Sequence, residues 1–159
     1  MKIEEKIGLL LKESNITITL SLAESCTGGL IANLLTNVPG SSEYFYGGIV
    51  AYSNLAKIKY LGVRESTLEM FGAVSPETAK EMAEGLRQSS GTDIALSVTG
   101  IAGPSGGGAL KPVGLVYIAI SGKDKTVCHN YIFKGSREEI KKLTAEKALR
   151  LLRDYIAEK

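Results

Sequence analysis

Ile16-Thr17-Ile18-Thr19-Leu20-Ser21-Leu22-Ala23, then Glu24-Ser25-Cys26-Thr27-Gly28-Gly29, then Leu30-Ile31-Ala32-Asn33-Leu34-Leu35, is the stretch that decides the fold. Its first part is β-branched and apolar, as a strand requires. Its last part is helical in character, and Gly28-Gly29 supplies the flexible turn between them. A strand feeding a helix through a tight turn is the unit of an α/β domain. The turn also carries a small nucleophile, Ser25, where backbone N–H groups at a helix start can receive an anion or a developing oxyanion.

The rest of the chain extends this pattern. Ile3, Ile7, Leu10 and Leu11 recur at helical spacing, so an amphipathic helix precedes the first strand, which is expected at about 17–23. A helix over 28–36 and a loop at Val38-Pro39-Gly40-Ser41-Ser42 follow. Gly47 to Tyr52 reads as a second strand and Asn54 to Leu61 as a short helix. Ser75-Pro76 has the N-cap and first-turn proline of a helix start, with Ala79, Met82, Ala83 and Leu86 on one face. Asp93 to Thr99 is a third strand. Val113–Ser121 and Thr126–Phe133 flank Gly122-Lys123-Asp124-Lys125 as a hairpin. Ser136 and Glu139 form a capping box for a final helix striped by Ile140, Leu143, Ala148, Leu151, Leu152 and Tyr155. Early alternation and a late hairpin predict an α/β fold: one domain over 1–159, a three-layer α/β/α sandwich with a mixed central sheet.

Bulk composition narrows the function classes. The chain has 159 residues, 44% of them hydrophobic, enough for one folded core. With 19 basic and 17 acidic residues the net charge is +2, which calls for neither nucleic acid nor an anionic membrane as partner. No apolar run approaches membrane-spanning length. Two cysteines, Cys26 and Cys128, make no disulfide framework, and the single histidine, His129, cannot anchor a histidine-rich metal site. The Asn15-Ile16-Thr17 triplet is a chance match to a glycosylation signal where no secretory leader is visible. The expectation is a cytoplasmic protein with no metal and no cofactor.

Ser25 needs a base to act as a nucleophile. His129 lies inside a hairpin strand and reads as an ordinary sheet residue. Lys57 follows the second strand as Ser25 follows the first, so parallel strands would project both from one edge, where open α/β sheets place their ligands. A lysine takes a proton only when neutral, a state favoured by burial or a cationic neighbour. The other reading of Lys57 is a solvated helix face. Tyr52, five residues earlier, can hydrogen-bond the pair or relay a proton. Cys26 is the rival nucleophile if its thiolate is stabilised, and otherwise a small residue packing the turn. The run Thr99 to Gly108 is either a loop whose amides cradle phosphate or ribose, or a connector. It lacks the Gly-Lys-Ser/Thr ending of a phosphate loop and the spacing of a dinucleotide fingerprint. Arg137, a cation opposing the dipole at a helix start, reads as an anion binder or as a solvated residue.

Taken together, these blocks resemble the CinA C-terminal domain family, which includes the PncC-type nicotinamide-nucleotide amidases. The resemblance is carried by Ala23-Glu24-Ser25-Cys26-Thr27-Gly28-Gly29, Val38-Pro39-Gly40-Ser41-Ser42 and Gly48-Ile49-Val50-Ala51-Tyr52-Ser53-Asn54 with Lys57. Gly62-Val63, Gly72-Ala73-Val74-Ser75, Thr99-Gly100-Ile101-Ala102-Gly103-Pro104 and Lys111-Pro112-Val113-Gly114 extend it over nearly the whole chain. It implies hydrolysis of nicotinamide mononucleotide to nicotinic acid mononucleotide and ammonia through a serine–lysine pair. Ser25, Lys57 and Tyr52 take the catalytic positions. Cys26, Thr27, Gly28, Thr99, Gly100, Ala102, Gly103 and Arg137 take the substrate-binding ones. Oxyanion donors are expected among the amides of Cys26 to Gly28 and the Thr99 hydroxyl. An aromatic face for the pyridinium is expected from Tyr44, Phe45 or Tyr46. One departure is Gly135-Ser136-Arg137 where the family's usual run is Gly-Asp-Arg. A homodimer is a family-level expectation. The competing reading is a non-catalytic nucleotide-binding accessory protein of the competence/damage-inducible type. A direct DNA-binding role finds no basic–aromatic stripe to support it.

Overall fold

A computed structural model describes residues Met1–Lys159. The chain runs α1 (Ile3–Glu13), β1 (Leu20–Glu24), α2 (Leu30–Thr36), a 3-10 turn (Ser41–Glu43), β2 (Phe45–Val50), α3 (Asn54–Leu61), α4 (Glu65–Phe71), α5 (Pro76–Ser90), β3 (Ile94–Gly100), β4 (Leu115–Ser121), β5 (Thr126–Ile132) and α6 (Arg137–Ala157). The strands form one five-stranded sheet in the order β2-β1-β3-β4-β5. β1 pairs in parallel with β2 and β3, while β3–β4 and β4–β5 are antiparallel. Helices cover both faces, giving the mixed-sheet α/β/α sandwich that the alternation predicts. No helix is long and apolar enough to cross a membrane.

The two faces of the sheet are built differently. Side chains alternate along a strand, and the alternation here sorts by size. Leu20 and Leu22 of β1, Ile94, Leu96 and Val98 of β3, and Val116, Ile118 and Ile120 of β4 join α1, α2 and α6 in the main core. The opposite face carries small residues. Ala23 and Ala95 pack with Met82 and Leu86 of α5, and Ala119 packs with Ala79 and Ala83. Ser97 Oγ donates to Ala79 O at 2.5 Å. α5 therefore lies close on the sheet. It also lies close to α3: a Cβ at Gly85 would stand 1.7 Å from Leu61 O.

Caps fall where the sequence puts them. Ser75 Oγ accepts from Thr78 N at 3.1 Å, with Pro76 opening α5. Glu139 carboxylate accepts from Ser136 N at 2.6 Å, and Ser136 Oγ accepts from Glu139 N at 3.3 Å. Other expectations shift. β1 begins at Leu20 rather than Thr17, because Thr19 is held instead by Asp93, whose carboxylate accepts from both its N–H and its hydroxyl at 2.8 Å. β2 starts at Phe45 and ends at Val50, two residues ahead of its expected frame. α4 carries no clear sequence signal and was not expected. Leu143, placed on the apolar stripe of α6, is 39% exposed and faces outward.

Candidate active site

Parallel pairing of β1 with β2 and β3 brings three strand ends to one edge of the sheet. From β1 the chain leaves to β2 on one side, and it returns to β3 on the other. The C-terminal end of β1 is thus the switch point where such sheets open a crevice. Ser25 is the first residue beyond β1, and its N–H donates to Val98 O of β3 at 3.0 Å. Ala51 and Tyr52 lead from β2 into α3, whose N-cap Ser53 accepts from Ala56 N at 3.1 Å. That cap aims the first turn of α3 back at the sheet and carries Lys57 inward.

Lys57 is 2% exposed. Its Nζ lies 2.9 Å from Ser25 Oγ, 2.9 Å from Ala51 O and 3.4 Å from Tyr52 O. No carboxylate pairs with it. A buried ammonium without a counter-ion is costly, and burial accordingly pushes the Lys57 pKa below its ordinary 10.5. A neutral amine has two N–H groups and one lone pair. As an ammonium Lys57 donates to all three oxygens; once neutral, it keeps its two hydrogens for the carbonyls and turns its lone pair to the Ser25 hydroxyl. Cys26, beside it, is the poorer nucleophile, because burial pushes its thiol up to about 12.

The turn after Ser25 is organised by a residue that sequence reasoning passed over. Glu24 is buried at the end of β1. Its carboxylate accepts from the Thr27 hydroxyl at 2.5 Å, and from the amides of Gly29 at 3.0 Å, Ile31 at 3.2 Å and Ala32 at 2.8 Å. The amides at the start of α2 are therefore committed, those of Gly29, Ile31 and Ala32 to Glu24 and that of Leu30 to Thr27 O, and cannot serve an oxyanion, contrary to the expectation from the strand–helix junction. Gly28 N is likewise spent on Ser25 O, at 3.1 Å. Cys26 and Thr27 keep the only amides of the turn that donate to no protein acceptor.

A cleft of about 300 Å³ opens over the pair, walled by Ser25, Lys57, Tyr52, Thr99 and Arg137. Gly100, Ala102 and Gly103 of the glycine-rich loop also line it, as does Cys26. Gly103 has φ +76° with Val113 Cγ1 2.4 Å from where a Cβ would stand, so the loop's path there demands glycine. Arg137 donates to Gly103 O at 2.7 Å and to the Tyr52 hydroxyl at 2.6 Å, and it has no carboxylate partner. Its charge remains uncompensated at the cleft mouth.

Several expected contacts fall elsewhere. The Tyr52 hydroxyl meets Arg137, and only the Tyr52 carbonyl reaches Lys57, so the phenol is not bonded to the pair. The Thr99 hydroxyl donates to Ala73 O at 2.8 Å, which uses the proton that an oxyanion would need. Thr27 and Gly28 do not line the cleft; the Thr27 hydroxyl is turned to Glu24. Tyr44, Phe45 and Tyr46 stand at the start of β2, the far end from the cleft, because the strand begins at Phe45. Tyr52 is the cleft's aromatic residue instead. His129 is exposed on β5, the edge strand opposite β2. Asn54, Ala73 and Val74 line the cleft unannounced. The last two lie on the loop after α4, and the Gly72-Ala73-Val74-Ser75 block is the one signal that marked them.

The family model described as the CinA C-terminal domain matches residues 1–156. A CinA-like protein of Chloroherpeton thalassium is 54% identical over 160 residues, covering 98% of this chain and 38% of that protein. A CinA-like protein of Endomicrobium trichonymphae is 56% identical over 146 residues, covering 92% of this chain and 34% of that one. The chain thus spans little more than a third of the length of these curated relatives. Among solved structures, the competence/damage inducible protein CihA of Agrobacterium tumefaciens is 44% identical with a TM-score of 0.89, over 94% of this chain and 93% of that one. A competence-damaged protein (CinA) superfamily protein of Klebsiella pneumoniae superposes with a TM-score of 0.93 at 30% identity, over 99% of this chain and 97% of that one. On this evidence the chain belongs to the CinA C-terminal domain family.

Proposed function

We propose that the chain is an amidohydrolase that converts nicotinamide mononucleotide and water to nicotinic acid mononucleotide and ammonia. The observation that carries this reading is the buried Lys57 amine, without a carboxylate counter-ion, 2.9 Å from Ser25 Oγ at the floor of a cleft. The neutral amine takes the Ser25 proton as Oγ adds to the carboxamide carbon. The oxygen that gains charge is met by the unpaired Cys26 amide; one such donor is worth roughly 2.7–4 kcal/mol of barrier. The intermediate collapses by breaking the C–N bond. Protonated Lys57 gives its proton to the departing nitrogen, which leaves as ammonia. Water then adds to the ester carbon, its proton passing to Lys57, and the Ser25 oxygen leaves and is reprotonated from the same amine. Arg137 and the loop from Gly100 to Gly106 hold phosphate and ribose. The Tyr52 ring, its hydroxyl tied to Arg137, offers its face to the pyridinium.

The test is ammonia release from nicotinamide mononucleotide by the purified chain, repeated with Ser25→Ala. Wild-type turnover and a variant that stays folded but releases at least about a hundredfold less ammonia support the reading. Mononucleotide binding with no ammonia from the wild type would mark an accessory nucleotide-binding protein instead.

A further inference from the structure

We propose that Glu24 is a positioning residue for this reaction: its carboxylate ties the Ser25 turn to the start of α2 and so keeps the Cys26 amide free beside the nucleophile. The inference rests on the amidase reading. An acidic residue adjoining a catalytic serine invites an acid–base role, but Glu24 does not line the cleft. Both carboxylate oxygens are committed, one to Thr27, Gly29 and Ile31 and the other to Ala32. Glu24 touches no reacting atom and acts through the chain it holds.

The arrangement does more than finish a helix. α2 has seven residues and begins after Gly29, which caps with no side chain. A serine or aspartate N-cap ordinarily serves such amides locally, but Gly29 has φ +100°, where a side chain is strained. The acceptor comes instead from the end of β1, on the far side of Ser25. The hydroxyl of Thr27 joins it there, which closes a ring through Glu24, Ser25, Cys26 and Thr27. Val98 O holds the entry to the ring by accepting from Ser25 N, and Gly28 N closes its exit on Ser25 O. Without Glu24, the amides at the helix start would be unsatisfied and the turn free to tighten onto them.

Thr27→Val separates positioning from folding, because it removes the hydroxyl and leaves the three amide bonds to Glu24 in place. Ammonia release, melting temperature and the rate at which a fluorophosphonate labels Ser25 are measured in wild type, Thr27→Val, Thr27→Ser and Glu24→Gln. The expected result for Thr27→Val is a kcat lower by about tenfold or more, as for a weakened oxyanion donor. KM stays within about threefold, and labelling slows in the same proportion as kcat falls. Thr27→Ser, which restores the hydroxyl, recovers most of the loss, and Glu24→Gln falls further than Thr27→Val. Folded Thr27→Val and Glu24→Gln with wild-type kcat and labelling rate would overturn the role. So would a fall in kcat fully explained by fewer labelled sites. If no chain releases ammonia but Thr27→Val still labels slowly, the substrate assignment fails while the positioning role is supported. If the wild type neither releases ammonia nor takes the label, both are overturned.

Discussion

Lys57→Met keeps a four-atom apolar stem and removes the amine. Ser25 Oγ has no hydrogen-bond partner other than Lys57 Nζ, so the variant leaves the hydroxyl with no base. A positioned general base contributes about 10²–10⁴ in rate, or roughly 2.7–5.5 kcal/mol of barrier. The expected outcome is a fall of that size in kcat for ammonia release, at a nearly unchanged KM. Stability should move the other way, and with a definite dependence on pH. Burial lowers the Lys57 pKa from 10.5, so between the folded value and 10.5 the unfolded chain binds a proton that the folded chain does not. Wild-type stability therefore rises with pH across that window, by up to about 1.4 kcal/mol per pH unit, and below the window the full cost is present. Methionine carries no such cost. It does leave the Ala51 and Tyr52 carbonyls without their donor, a loss of about 1 kcal/mol each. Relative to wild type, the variant should thus be most favoured below that window and lose its advantage as pH approaches 10.5. In a chain of this size each kcal/mol appears as about 2–4 °C in Tm, within reach of scanning calorimetry from pH 6 to 10. A Tm difference that does not change with pH, or a Lys57→Met variant with wild-type kcat, would refute a neutral amine acting as the base.

The wild-type profile of kcat/KM should climb with pH through a single limb set by Lys57 deprotonation, lying below 10.5; a profile that falls as pH rises toward 10.5, with chemistry rate-limiting, contradicts it. Arg137→Gln should raise KM for the mononucleotide by about tenfold while lowering kcat much less, because an ionic contact to phosphate is worth about 1.5–3 kcal/mol. Arg137→Lys should recover little of that, since one ammonium cannot hold Gly103 O and the Tyr52 hydroxyl in the guanidinium's forked geometry. Neither cysteine should react with iodoacetamide in minutes at pH 8, with Cys26 pushed up to about 12 and Cys128 to about 11, whereas both should react in urea. Gly85→Ala should lower Tm by several degrees, because the new methyl would meet Leu61 O and cost about 1–3 kcal/mol of overpacking.

The layer architecture was legible because each core strand carries its own periodic signal and each long helix its own cap. The placement of Ser25 and Lys57 at one edge was legible for a topological reason: parallel strands bring equivalent ends together whatever the loops do. What escaped depends on contacts that neither partner announces. Glu24 reads locally as a strand-end acid; its partners lie three to eight residues on, and they come within reach only because Gly28 and Gly29 adopt φ +62° and +100°. The Thr99 hydroxyl reads as a free donor until the loop after α4 delivers Ala73 O to it. The position of the aromatic residues turns on a small shift in frame. Starting β2 at Phe45 sends Tyr44, Phe45 and Tyr46 to the opposite end of the sheet and leaves Tyr52 beside the cleft.

The small residues between α5 and the sheet have a consequence that reaches the chemistry. α5 rests on Ala95, Ser97 and Ala119, and the end of α3 rests on α5 at Gly85. The thickness of that alanine-and-glycine shim therefore sets how high Lys57 rides above Ser25. The proposed proton transfer needs the amine within hydrogen-bond reach of Ser25 Oγ, so a bulkier shim far from the cleft would lower ammonia release by lifting Lys57. Screens for inactive variants should accordingly recover interior substitutions along this seam that leave every cleft residue intact.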